Sequence, residues 1–251
     1  GLSPHPSLSY AVNSRTHLAN TIGLGLGRAR RLVLPAYLEV LKPRETAMLT
    51  FIGLAAALAA GGGSSPGRLA VAGLALLLGS AGCNGLTNYL DRDVDARMQR
   101  TRHRALPSGR IAPAEKVLPL VSALIAVGLG LAWLLNPWAF GFGALGVLAA
   151  VLWRKTGLTH FLGAISGMAL VLVGWYAVGG TTSPTIVVLG LLVLLWVPLH
   201  VWSLMYAWRE DYWQAGVRIF PLGWAPQRLA WALGLLTVVV AAPGLALYVV
   251  A

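Results

Sequence analysis

Seven stretches of this chain are each apolar over about the length of a bilayer-crossing helix: Thr46–Gly63, Leu69–Leu90, Val117–Leu135, Trp138–Trp153, Phe161–Gly180, Pro184–Trp208 and Leu229–Ala251. A helix crosses the hydrocarbon core in ~20 residues. In lipid no water satisfies the backbone, so a spanning segment must be a helix or part of a closed barrel. These runs are continuously apolar rather than alternating, which predicts helices. The expected fold class is therefore all-α, a polytopic transmembrane helical bundle. Trp138–Trp153 is the shortest candidate span. Composition agrees, since 57% of the 251 residues are hydrophobic and 11% are charged, less than half the charged share of an ordinary soluble domain. That excludes a soluble globule, a disordered chain and a collagen-like repeat. The single cysteine, Cys83, cannot close an intramolecular disulfide and lies in an apolar stretch, which suits a small packing residue.

The net charge of +11 raises the question of nucleic acid, and the placement of the charges answers it. Of the 19 Lys and Arg, 18 fall in the N-terminal arm or in the second, fourth and sixth connections between spans; Arg68 is the exception. The positive-inside rule puts those segments in the cytoplasm. The basic excess follows from membrane topology, and no nucleic-acid partner is expected. Residues 1–36 read as a flexible or interfacial arm, with Arg28, Arg30 and Arg31 suited to anionic headgroups; residues 37–251 read as the transmembrane domain. The sequence opens without Met and closes inside an apolar run, which leads us to expect a longer protein.

Acidic residues give the sharpest signal. All eight lie on the expected cytoplasmic side, and five cluster as Asp91, Asp93 and Asp95 after the second span and Glu210 and Asp211 after the sixth. If the helix continues past Leu90, Asp91 and Asp95 lie one turn apart on one face. Asn84 and Asn88 join that stripe, Thr87 sits at its edge, and Asp93 points away. Paired carboxylates with amide oxygens beside them and an arginine-rich loop following suit a Mg²⁺–diphosphate site, with hard oxygen ligands for the metal and guanidinium forks for phosphate. The competing reading is a solvated ion-pair network at the interface. Acids rooted at the membrane boundary are costly unless used, which favours the site.

The run NYLDRDVDARMQRTRHRALPSGRI at 88–111 resembles the first aspartate-rich motif of the UbiA superfamily of intramembrane prenyltransferases. Its DRDxD core with MxRTxxRxLPxGxI is similar to the protoheme IX farnesyltransferase branch of that superfamily. Lys42-Pro43-Arg44 resembles the branch's TKPR entry, and Arg154-Lys155-Thr156 its KRxT. His200-Val-Trp202, Glu210-Asp211-Tyr212 and Ala215-Gly216-Val217 resemble its HFW, DDY and AGVPMLP segments. There are departures. Thr87 stands where the superfamily pattern has asparagine four residues before the first aspartate, Ala215 stands where many members have a further aspartate, and Arg218 replaces a proline. The family has nine spans against seven here, which fits the expected truncation.

The resemblance implies a UbiA-type bundle and farnesyl transfer from farnesyl diphosphate to a vinyl group of heme b, giving heme O for terminal oxidase assembly. It implies Mg²⁺ as cofactor, held by Asp91 and Asp95 with Asn88 or Asn84, and diphosphate contacts from Lys42, Arg92, Arg100, Arg104, Arg154 and Lys155. Asp211 would assist the metals or position its connection, supported by Tyr212. Implied partners are farnesyl diphosphate, heme b, the bilayer, and heme A synthase or the oxidase assembly machinery. His200 is an intramembrane histidine and the candidate heme ligand; if its helix is unbroken it lies three turns, ~16 Å, below Asp211. Its competing role is a helix-to-helix hydrogen bond near Pro198. Alternatives are a UbiA-type enzyme acting on an aromatic or lipid acceptor, a non-catalytic heme-binding or transport protein, and a structural membrane subunit. Trp138, Trp153, Trp208, Trp213 and Trp224 suit an interfacial belt. Gly53, Gly73, Gly79, Gly163, Gly167 and Gly174 suit close helix packing. The lone Gly23-Leu-Gly25-Leu-Gly27 is a weak nucleotide fingerprint.

Overall fold

The computed structural model describes residues 34–152, 159–217, 221 and 223–250. The N-terminal arm through residue 33, Trp153, Arg154, Lys155 and Arg218 lie outside the described residues. Helix α1 is described at 34–40. It is followed by α2 (Pro43–Ala59), α3 (Pro66–Asp95), α4 (Leu118–Leu135), α5 (Pro137–Leu152), α6 (Thr159–Ala177), α7 (Pro184–Ala207), a short α8 (Arg209–Gln214) and α9 (Pro226–Val250). The seven apolar stretches are thus seven long helices. Four of them, α3, α4, α7 and α9, are long and apolar enough to cross a membrane by themselves, while α5 and α6 are shorter apolar helices. Local chemistry sets several starts: α2, α3, α5, α7 and α9 each open on proline, whose ring presets φ and whose missing N–H would have no helical partner there.

Helices α2 to α6 each pack on the next, and α2 packs back on α6, closing a circuit; α7 leans on α6, and α9 packs on α7. Without a hydrophobic drive between helices in lipid, close backbone approach at small residues supplies the attraction. At Gly174 of α6 an added Cβ would collide with the carbonyl oxygen of Gly53 in α2. At Gly128 of α4 it would meet the Gly79 nitrogen of α3 at 2.6 Å. Large apolar side chains point outward instead: Trp231 is 81% exposed and Leu245 73%, as lipid-facing residues are. Arg68, alone on its side, donates to the end carbonyls of two helices, Leu135 O at 2.9 Å and Ala177 O at 3.0 Å. A cation there satisfies orphan carbonyls and the negative helix ends.

At the other end the connection 96–117 is a folded element. Met98 and Thr101 are fully buried. Met98 packs with Met205, Ala215 and Val217, while Ala105, Leu106 and Ile111 pack with Ala36 and Val40 of α1. Glu39 of α1 accepts the Ala105 N–H at 3.0 Å and pairs with Arg110 at 2.6 Å.

Candidate active site

Helix α3 continues through Asp95, so the carboxylate stripe expected from spacing exists. Asp95 is 3% exposed. Its side chain meets Arg104 Nη1 at 3.3 Å, and its backbone carbonyl accepts the Thr101 hydroxyl at 2.9 Å. This pair, Asp95 buried and Arg104 half-buried, stands at the mouth of a cavity of about 460 Å³ whose polar end also contains Lys42, Glu45, Asn84, Thr87, Arg100 and Tyr212. Below them the wall is apolar and small-residued, descending along α3 to Ala75 and including Gly79, Gly128, Gly143, Gly146, Gly163 and Gly167. The twenty residues from Ala75 to Asp95 rise ~30 Å, about the thickness of the hydrocarbon core. Gly79, Gly163 and Gly167 therefore clear space for the cavity as well as letting helices approach, a role the packing expectation omitted.

Arg100 is held from three directions by a single turn of chain. Asp211 of α8 accepts the backbone N–H of Gln99 at 2.6 Å and of Arg100 at 3.1 Å, one on each carboxylate oxygen. The Tyr212 side chain hydrogen-bonds the guanidinium, which also lies over the Trp208 ring at 5.5 Å. Arg100 Nε is buried with no hydrogen-bond partner among the described residues. A buried, unpaired guanidinium donor beside an apolar cavity is suited to an anion. Burial raises the pKa of Tyr212, with the Arg100 charge and the hydrogen bond its hydroxyl accepts from Arg100 pulling the other way. Burial and then the Arg104 charge lower the pKa of Lys42, opposed by Asp95, Glu45 and Asp91. An incoming polyanion would relieve that penalty.

The expected residues separate into those brought together and those placed elsewhere. Asp95, Asn84, Lys42, Arg100, Arg104, Tyr212 and His200 line one cavity. Asn84 donates its amide to Thr46 Oγ1 at 2.9 Å, leaving its oxygen as the group it can offer. Asn88 is committed instead to α1, donating to Val40 O at 2.6 Å. Asp91 lies one turn before Asp95 on α3, and its charge reaches Lys42. Arg92 is turned away: it donates to Tyr89 O at 2.8 Å and covers the Tyr89 ring. Both oxygens of Asp211 accept backbone N–H groups. His200 does not sit on an unbroken helix with Asp211, because the chain leaves helical geometry at Trp208 between α7 and α8. It still faces the cavity, stacked on Trp196 with ring centroids 4.8 Å apart. Thr46, Thr101 and Trp196 were not singled out from sequence, and Trp208 was expected only in the interfacial belt. Trp196 and Trp208 were findable as the i−4 and i−3 neighbours of His200 and Asp211.

Among the described residues no three His, Cys, Asp or Glu side chains gather as a metal cluster. A magnesium site needs fewer: one or two carboxylates complemented by substrate phosphates. Asp95 and Asp91, with the Asn84 oxygen, fit that donor set.

Comparison with known proteins settles the family. The family model "UbiA prenyltransferase family" matches residues 47–251. The chain belongs to the UbiA prenyltransferase family. It is 41% identical over 214 residues to a protoheme IX farnesyltransferase of Desulforudis audaxviator, covering 81% of this chain and 67% of that one. Against the protein of the same name from Archaeoglobus fulgidus it is 33% identical, covering 86% and 78%. Against that of Korarchaeum cryptofilum it is 34% identical, covering 74% and 65%. The chain thus spans roughly two thirds to three quarters of these relatives' lengths. Its fold matches a UbiA homolog from Archaeoglobus fulgidus bound to GPP and Mg2+ (TM-score 0.68, 19% identity, covering 86% of this chain and 78% of that one). It also matches a digeranylgeranylglyceryl phosphate synthase (TM-score 0.70, 19% identity, covering 86% and 77%). As a member of this membrane family it is an all-helical multi-pass protein.

Proposed function

We propose that this UbiA-family protein transfers a farnesyl group from farnesyl diphosphate to a vinyl group of heme b, forming heme O, with its polar cavity mouth on the cytoplasmic side. One observation carries the reading: a buried carboxylate and three cations, Asp95 with Lys42, Arg100 and Arg104, stand at the head of an apolar cavity that descends ~30 Å beside a histidine. That is the shape of an amphiphile with a polyanionic head and a polyisoprenoid tail. The names of the relatives at 33–41% identity favour heme as acceptor.

Arg100, fixed by Asp211, Tyr212 and Trp208, and Arg104, fixed by Asp95, present preorganised donors to the diphosphate oxygens where negative charge grows as the allylic C–O bond ionises. Mg²⁺, which Asp95 and Asp91 with Asn84 would hold, supplies further neutralisation of that leaving group. The apolar wall keeps water from the allylic carbons until the acceptor vinyl group captures them. Addition of water to the resulting cation, with loss of a proton, gives the hydroxyl of heme O. His200, on the cavity wall, would orient the acceptor through its iron.

The test is to supply the chain in bacterial membranes with heme b, Mg²⁺ and farnesyl diphosphate, and to extract the hemes for mass spectrometry. A heme carrying the hydroxyethyl-farnesyl group, lost when EDTA is added, is expected. Unchanged heme alongside a prenylated aromatic acceptor would move the protein to another branch. A companion measurement concerns His200→Ala, expected to weaken heme binding and shift the Soret band; an unchanged spectrum with full activity would return His200 to packing.

A further inference from the structure

A second cavity, about 600 Å³, lies against the first, and Lys42, Glu45 and Arg104 line both. It sits between the end of α1, the first turn of α2 and the connection 96–117, and adds Arg44, His103 and Arg110 to its wall. Arg110 is neutralised by Glu39 at 2.6 Å. Arg44 makes no ion pair among the described residues. A space of about 600 Å³ has room for a hydrated polyanion. The partition is rigidly placed. Lys42 holds a left-handed backbone, φ 50° and ψ 67°, and its carbonyl accepts the Thr46 N–H at 2.9 Å. Arg104 is tied to Asp95.

Resting on the reading that the first cavity cleaves a prenyl diphosphate, we infer that the second cavity is the release chamber for inorganic diphosphate. When the C–O bond breaks, the electron pair stays on the diphosphate oxygen and the prenyl carbon goes to the acceptor. The anion then carries one more negative charge than it did as an ester. Leaving through the apolar cavity would strip its water without replacing it. Passing between Lys42 and Arg104 keeps it against the same two cations and delivers it to Arg44 and a wet space. The prenylated product and the diphosphate thus leave by different routes.

The experiment uses the whole chain in phosphatidylcholine nanodiscs and inorganic diphosphate as the probe. Its dissociation constant is measured by calorimetry, and its inhibition constant against farnesyl diphosphate by turnover. In Arg44→Gln both constants are expected to rise about tenfold, the loss of one charge-assisted hydrogen bond. KM for farnesyl diphosphate should hold, and Arg44→Lys should restore much of the affinity. His103→Gln serves as the second variant should Arg44→Gln not fold, with a smaller rise expected. Unchanged diphosphate affinity overturns the chamber. So does a KM that rises in step, which would place Arg44 in the donor site. Repeating the titration with phosphatidylglycerol separates a lipid headgroup from the free anion: if that lipid abolishes the Arg44-dependent affinity, the space is a headgroup site and the inference falls. Calorimetry needs no turnover, so Arg44-dependent binding in a chain that transfers no prenyl group would keep a diphosphate site at Arg44 but overturn both the proposed activity and the release role.

Discussion

Asp95 and Asp211 are both acids beside an arginine-rich connection, yet they meet different partners. Asp95 faces the cavity and pairs with Arg104 at 3.3 Å. Asp95→Asn should leave the chain inserted while turnover falls by on the order of 10² to 10³. Residual folding is checked by thermal unfolding in detergent, and full activity would remove Asp95 from the donor site. Asp211 holds the backbone of Gln99 and Arg100. In Asp211→Asn an amide N–H would confront one of the two backbone donors it now accepts. KM for the prenyl diphosphate should rise about tenfold with the Mg²⁺ requirement of the reaction unchanged. A shifted Mg²⁺ dependence would make Asp211 a metal ligand instead. The pairing of Asp95 with cations was legible from sequence, since an i to i+4 stripe and a dense arginine run are local patterns. That Asp211 holds the backbone of residues 99 and 100 was not, because the hydrogen bonds span more than a hundred residues.

At the scale of helices, small residues meet at chosen points while the lipid face is large and apolar. The α2–α6 contact is the tightest test. Gly174→Leu places a side chain on the Gly53 carbonyl, and overpacking of this kind costs about 1–3 kcal/mol or more. The variant is expected to unfold at lower temperature in detergent and to lose donor binding, because the cavity is bounded by the same two helices. Unaltered stability would mean that α2 and α6 are not in backbone contact. Gly79 shows how far sequence reading goes for such residues. A glycine in an apolar helix announces close approach, and here it abuts α4 and opens the cavity at once. Which of these it does depends on what lies opposite.

For the whole molecule, the two faces are unequal. The polar connections around Asp95, Glu39 and Asp211 form one end, and the short turns near Ser64 and Thr181 form the other, where Arg68 caps α4 and α6. Cysteines placed at exposed Ser108 and Ser64 should report opposite sides. Ser64→Cys should be labelled by an impermeant maleimide in intact cells, and Ser108→Cys only after permeabilisation; the reverse would invert the orientation. The sequence by itself determined the helical class, the seven spans and the charge asymmetry, because the bilayer imposes length, apolarity and loop charge on each segment separately. It also marked the first acidic stripe, which is a property of one helix. Only the tertiary structure decided that Asn84 rather than Asn88 faces the cavity, that Arg92 turns away, and that α8 clamps Arg100. Each of these depends on which distant backbone group or side chain stands across the gap, and no local spacing encodes that.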